Sequence, residues 1–138
     1  KKANEHGVLV QLVVTMEDER MQHPLLRVPH VDLEPLPGAL DAVPELPVVV
    51  LNAFRSRTID QAAELAARAN VYFDIAMLEG LAGVERLLEK VSLDRVLFGS
   101  HSPLFAVESA LGKLRESSPG GRALEAICRE NARRLLRR

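Results

Sequence analysis

The chain has 138 residues, of which 47% are hydrophobic and 27% charged, so one domain with a substantial core is expected. Eighteen basic residues nearly balance nineteen acidic ones, and this balance argues against nucleic acid or an acidic membrane as a partner. No apolar run approaches the roughly 18 residues of a membrane span, and the polar start KKANEHG is unlike a signal peptide, so a cytoplasmic location is expected.

The chain contains a single cysteine, Cys128. One cysteine forms no internal disulfide, and no CxxC or Cys/His partner points to a structural zinc site. Cys128 lies in the apolar helical pattern of LEAICRENARRLL. This pattern predicts a small buried hydrophobic side chain rather than a nucleophile.

Short apolar runs alternate with amphipathic segments along the chain. The apolar runs span residues 8–14, 47–53, 71–76 and 95–100. The amphipathic segments span residues 58–69, 80–91, 105–117 and 121–136, and Thr58 is a candidate N-cap of the first. Near-continuous valine, isoleucine and leucine is typical of parallel strands covered on both faces. The alternation predicts a single α/β domain over residues 1–138 with right-handed crossovers.

One connection, residues 15–46, differs from the others because it is rich in proline and carries only a short helical piece near residues 35–43. We call it the long loop. Long loops in compact α/β units are usually lids or segments that contact substrate, so this loop is a second region of functional interest.

Four parallel strands alone leave two unpaired edges and uncovered apolar helix surface. We therefore expect this chain to form half of a larger barrel. Its expected partner is the missing half of a longer chain or a second copy of itself.

Polar residues occur near the end of every predicted strand. Side chains alternate along a strand, so Thr15 shares a face with Val13, and Asn52 shares one with Val48 and Val50. Because the carboxyl ends of parallel strands lie together, we predict that four side chains converge on one mouth. These are Thr15, Asn52, Asp74 and His101.

The same residues also permit structural roles. His101 is either a functional group or a histidine bonded to the backbone, and its position in a Gly/Ser/Pro turn favours function. Asp74 in a buried strand indicates either a catalytic carboxylate or a buried ion pair. For Asn52, a structural hydrogen bond is an equal alternative.

The segment DRVLFGSHSPLF, followed by ESALGKLRES and ICRENARRLL, resembles the C-terminal end of the amidohydrolase-related family of metal-dependent TIM-barrel hydrolases and decarboxylases. The last strand of that family typically reads L-F-G-S-D-x-P. The stretches GVLVQLVV, PVVVLNA and NVYFDIAMLEG resemble the three preceding strands. The resemblance implies a (β/α)8 barrel of which this chain is the C-terminal half.

The resemblance also implies a divalent metal such as zinc, which lowers the pKa of a bound water beside a strand-eight carboxylate. Here the family's metal-ligand positions are occupied by Val13, Asn52 and His101, and its first-strand His-x-His pair is absent. Valine has no donor atom, and Asn52 offers only a neutral carbonyl oxygen. His101 can replace the carboxylate as a base but not the missing ligands, so the metal ligands stay unassigned.

The long loop offers replacements in the segment MEDERMQHP. We expect Arg20 to pair with a substrate carboxylate, and Glu17, Asp18 or His23 to complete a polar or metal site with His101. The alternative is a charged loop that only faces solvent.

Two hypotheses for function follow. The first is a divergent amidohydrolase-related hydrolase that acts on a small molecule, with His101 as base and Asp74 and Asn52 orienting it or the substrate, or a decarboxylase on the same scaffold. The second is a non-catalytic barrel relative that binds a small ligand or a partner subunit at the strand ends.

Overall fold

A computed structural model describes residues 1–137 of the chain. Four parallel strands form one sheet in chain order, and they are β1 (Val10–Val13), β2 (Val48–Leu51), β3 (Val71–Asp74) and β4 (Val96–Leu97). The helices are α1 (Lys2–Glu5), α2 (Leu36–Asp41), α3 (Ile59–Arg68), α4 (Gly83–Leu88), α5 (Val107–Ser117), α6 (Gly121–Glu125) and α7 (Asn131–Leu136). The predicted α/β fold with four parallel strands is confirmed.

Short irregular helices complete the chain. Two 3₁₀ turns lie at Ala53–Arg55 and Leu93–Arg95, and a π-helical turn at Ala126–Glu130 joins α6 to α7. Helix α3 begins at a capping box, because the Thr58 hydroxyl accepts from the Gln61 N–H at 3.2 Å and the Gln61 side chain accepts from the Thr58 N–H at 3.0 Å. No helix within residues 1–137 is long and apolar enough to cross a membrane.

The main hydrophobic core lies between the sheet and the helices. The strands contribute alternate residues to it, among them Val48 and Val50 of β2 and Phe73 of β3. The opposite face of the sheet carries a smaller cluster in which Val49, Tyr72 and Leu97 pack with Leu135 of α7. The sheet is therefore covered on both faces at its centre.

The face predicted for Asn52 from strand alternation is wrong. The sequence places it on the face of Val48 and Val50, and both of these pack in the helix-side core. Strand β2 ends at Leu51, and Asn52 adopts a left-handed conformation with φ of 58°. Alternation holds only in extended backbone, so the side chain turns toward the mouth instead.

Cys128 is exposed, which contradicts its predicted burial. The π-helical turn at Ala126–Glu130 explains the difference, because such a turn departs from the 3.6-residue period of an α-helix. Ile127 occupies the buried position next to it.

Candidate active site at the carboxyl ends of the strands

Thr15, Asn52, Asp74 and His101 meet at the carboxyl ends of the strands, and we call them the strand-end cluster. The Asn52 side-chain nitrogen lies 3.0 Å from the carbonyl oxygen of Thr15 and 3.0 Å from Nδ1 of His101. The Asn52 backbone N–H donates to Asp74 Oδ1 at 2.9 Å. Asn52 therefore links the other three members, which makes it the centre of the cluster.

The left-handed backbone of Asn52 makes these contacts possible. Asparagine tolerates this conformation better than most residues. It lets one residue direct its backbone N–H to Asp74 and its amide to Thr15 and His101. Asn52 is buried, as are Thr15 and Asp74.

The hydrogen bonds of His101 define its tautomer. The carbonyl of Thr15 can only accept, so the Asn52 atom facing it is the donating amide nitrogen, and that nitrogen also donates to His101 Nδ1. Nε2 of His101 lies on the carbonyl oxygen of Met16, so Nε2 carries the proton. The ring is neutral, and both nitrogens have partners inside the protein.

Asp74 lies behind Asn52, where burial raises the pKa of its carboxyl above the ordinary value. The backbone N–H groups of Asn52 and Ala76, the charge of Lys113 and, when its ring is protonated, that of His101 oppose this shift of the pKa. Gly99, two residues after the end of β4, packs directly on the Asp74 carboxyl group. A Cβ at position 99 would overlap the Asp74 carboxylate, so glycine is required there.

Asp18 of the long loop is 8% exposed and carries two ion pairs. Arg20 Nη2 lies 2.6 Å from Asp18 Oδ2, and Arg55 Nη2 lies 3.2 Å from Asp18 Oδ1. Hydrogen bonds from Arg20 hold the pKa of the Asp18 carboxyl well below its usual range. Arg55 also donates to Glu79 at 2.6 Å, so it joins the long loop to the loop after β3.

Arg20 binds a carboxylate, as its residue type suggests, but the carboxylate is the neighbouring Asp18. Its Nε and Nη2 donate to the two Asp18 oxygens at 2.6 to 3.1 Å. The side chain is otherwise 76% exposed. A substrate carboxylate would have to compete with Asp18 for the same donors.

The other two loop candidates lie outside the cluster. His23 is exposed, and its Nδ1 accepts from the Leu25 N–H at 3.2 Å within its own turn. Glu17 is half-buried and forms no side-chain hydrogen bond or ion pair within residues 1–137.

His30 is the loop histidine that reaches the mouth. Its Nδ1 lies 2.9 Å from the Thr15 hydroxyl, and its Nε2 contacts a carboxylate oxygen of Glu19. The sequence reasoning missed His30, Arg55 and Lys113. Arg55 follows the end of β2 by only four residues, and that position could have suggested it, whereas no local signal marked His30 or Lys113.

The described part of this chain does not form a complete metal site by itself. No group of three or more His, Cys, Asp or Glu side chains within residues 1–137 is arranged to hold a metal ion. Val13 has no donor atom, and an amide nitrogen rather than an oxygen of Asn52 faces His101. Both ring nitrogens of His101 are occupied by Asn52 and Met16.

The profile of the amidohydrolase family matches residues 1–138. The chain belongs to the amidohydrolase family, as its resemblance to that family predicted. A search of curated proteins gave no significant match.

Solved structures share the fold. An uncharacterised TIM-barrel protein from Bordetella bronchiseptica is 21% identical with a TM-score of 0.74, over 99% of this chain and 48% of that one. A 2,6-dihydroxybenzoate decarboxylase from Rhizobium is 16% identical with a TM-score of 0.69, over 99% and 53%. Amidohydrolase 2 from Bifidobacterium longum subsp. infantis is 17% identical with a TM-score of 0.68, over 98% and 52%. The chain spans about half the length of these proteins and has the fold of half a TIM barrel.

Proposed function

We propose that this chain contributes the proton-transfer half of a small-molecule hydrolase whose reaction takes place at the carboxyl ends of the strands. The observation that carries the proposal is the neutral imidazole of His101, 3.0 Å from the Asn52 amide and beside the buried Asp74. In TIM barrels, this face of the sheet is where catalytic residues gather. Membership of the amidohydrolase family supports hydrolysis as the reaction class.

The proposed reaction uses His101 as a base once the Asn52 amide releases Nδ1. Nδ1 then takes a proton from water as the hydroxyl adds to the carbonyl carbon of an ester, amide or lactone, and the proton passes to the leaving oxygen or nitrogen. The Asp74 carboxylate stabilises the imidazolium that forms between these steps.

Asn52 has a separate part in this scheme. Once Nδ1 carries a proton, the Asn52 amide nitrogen can no longer donate to it, because two N–H donors would face each other. That N–H then becomes free to donate to the negative oxygen that develops on the substrate.

The contact between Met16 and His101 gives the long loop a part in access to the ring. While the Met16 carbonyl accepts from Nε2, a substrate cannot use that side of the imidazole. Movement of the loop would expose it, and the ion pair of Asp18 with Arg55 after β2 holds the loop in place. We propose that Arg20 and the other loop candidates, Glu17, Asp18 and His23, act on substrate only after such a movement.

Decarboxylation is the second candidate, favoured by the likeness in fold to the Rhizobium 2,6-dihydroxybenzoate decarboxylase. In that reaction, the carboxyl group would leave as carbon dioxide. A protonated His101 would deliver a proton to the carbon that had carried it.

A complete barrel is needed for either reaction. We propose that its other half comes from the rest of a longer protein or from a second copy, and that any divalent metal, such as zinc, draws most of its ligands from there. This chain would supply at most the His101 imidazole, once released from Asn52 or Met16. Elemental analysis of the wild type and His101→Ala tests this. Loss of metal in His101→Ala supports the role of His101 as a ligand, and equal metal content in the two proteins contradicts it.

The cytoplasmic location stays a prediction.

The test of function uses the full-length protein against esters, amides, lactones and hydroxybenzoic acids. His101→Ala should lose at least about 100-fold in kcat/KM and keep its circular dichroism spectrum, because general base catalysis contributes roughly 10² to 10⁴ in rate. His6→Ala is the matched control, since this histidine is exposed and follows α1 at the amino end of the first strand.

Two other results would contradict hydrolysis, and a third would contradict the role of His101. Release of carbon dioxide without hydrolysis would favour the decarboxylase. Saturable ligand binding that ignores chelators, without turnover, would indicate a non-catalytic relative. Full activity of His101→Ala would remove His101 from the mechanism.

A further inference from the structure

Helix α5 contacts the segment from the end of β3 to the start of α4 with three polar side chains. Lys113 Nζ donates to the carbonyl oxygen of Ile75 at 3.1 Å and to that of Ala76. Glu116 accepts from the Ala82 N–H at 3.1 Å, and Ser117 accepts from the Val84 N–H at 3.3 Å. One helix therefore holds both ends of the segment between β3 and α4.

Lys113 is the member of this group nearest the strand-end cluster. It is half-buried, and its carbonyl partners are the two residues that directly follow Asp74. The backbone N–H of Ala76 lowers the pKa of the Asp74 carboxyl. Lys113 thus holds the carbonyls of the backbone that continues directly from Asp74.

The charges around this contact are few. Asp74 faces the positive charge of Lys113 from α5 and the imidazole of His101 from the segment after β4, which is charged only when protonated. Lys113 faces Asp74 and also Glu79 of the loop that it holds. A lysine amine buried among carbonyls and carboxylates orients them by hydrogen bonding as well as by charge.

We propose that Lys113 is a positioning residue for Asp74, acting through the backbone of Ala76. The path runs from Lys113 to Ala76, to Asp74, to the backbone N–H of Asn52 and so to His101. Its consequence for proton transfer rests on the proposed function. The positioning itself is a property of the folded protein and can be measured without turnover.

The experiment compares Lys113→Met, Lys113→Arg and Lys90→Met in the full-length protein by NMR. Met keeps the length of the side chain without donors, and Arg keeps both charge and donors. Lys90 is the matched control, an exposed lysine of the neighbouring segment that pairs with Asp60 at 3.4 Å. Two signals are followed: the chemical shift of the Asn52 amide proton, and the hydrogen-exchange rate of the Ala76 amide.

Lys113→Met should move the Asn52 amide resonance and speed exchange at Ala76 by about tenfold, as local opening becomes easier. Lys113→Arg should restore most of both effects, and Lys90→Met should show neither. The proposal is overturned if Lys113→Met lowers Tm but leaves both signals as in Lys90→Met, since Lys113 would then only anchor the loop.

A second variant covers loss of folding in Lys113→Met. Lys113→Ala removes the donors and the charge while keeping a strong helix former in α5, and an unmoved Asn52 amide in it would also overturn the proposal. A protein without any hydrolase activity can still show the expected shifts, so failure of the proposed function is distinguishable from failure of this inference.

Discussion

Three of the four residues of the strand-end cluster are buried, whereas the long loop that touches it exposes its apolar side chains. Met21, Leu25 and Leu26 of the loop are 79%, 86% and 72% exposed. The cluster is held by packing and by the paired strands that carry it. The position of the loop rests on polar contacts, chiefly those of Asp18 and His30, so the two regions should respond differently to substitution.

Gly99→Ala should disrupt the cluster most. The new Cβ overlaps the Asp74 carboxylate, and we expect a loss of about 3 kcal/mol in the free energy of unfolding, measured by denaturant titration. Gly112→Ala in α5 is the matched control. Nothing lies within 4 Å of a Cβ there, so it should stabilise the helix by roughly 0.5 to 1 kcal/mol. Equal stability of the two variants would show that the cluster is not tightly packed.

Asp74 should give the cluster a characteristic pH dependence. Burial raises its folded pKa, so the native state binds more protons than the unfolded state, and stability falls as pH rises from the ordinary value of 3.8 through the folded pKa. Asp74→Asn keeps an oxygen to accept from Asn52 and has no charge to bury. The wild-type free energy of unfolding should therefore decline relative to that of Asp74→Asn as pH rises from about 4 to 7. A constant difference between the two proteins would contradict the assignment.

Arg55→Met should loosen the long loop. It removes the ion pairs with Asp18 and Glu79 from a side chain that is mostly buried, so we expect a loss of about 1 kcal/mol and faster hydrogen exchange in the loop. Arg68→Met removes an exposed pair with Asp41 and should cost less than about 0.5 kcal/mol. Unchanged exchange in Arg55→Met would mean that the loop is held elsewhere.

The two loop histidines should differ by the smallest amount. His30→Ala loses contacts with Thr15 and Glu19 and should cost about 1 kcal/mol by thermal unfolding. His23→Ala loses only a bond within its own turn and should stay within about 0.5 kcal/mol of the wild type. Similar losses in both would show that His30 does not anchor the loop.

The contacts of the cluster explain which parts of the site were predictable. Parallel strands end at the same edge, so polar residues at four strand ends had to lie near one another, and Thr15, Asn52, Asp74 and His101 do. Alternation failed at Asn52 because the strand had already ended and the backbone is left-handed. Their catalytic roles remain predictions.

The long loop was less predictable for a physical reason. Nothing local in MEDERMQHP distinguishes Asp18, which is buried between two arginines, from Glu17 and His23, which join no network. Ion-pair partners such as Arg55 lie 37 residues away, so chain neighbours carry no record of them. The family resemblance identified the positions of the metal ligands, but it did not identify the residues that surround those positions.

The sequence alone determined the α/β alternation, the parallel sheet and the edge at which polar residues collect, because hydrophobic periodicity and strand direction act locally. Only the tertiary structure decided the tautomer of His101, the burial of Asp18 and the reach of Lys113 to the carbonyls after Asp74. Each of these depends on hydrogen bonds between residues far apart in the chain, and such bonds are specified only once the elements have packed.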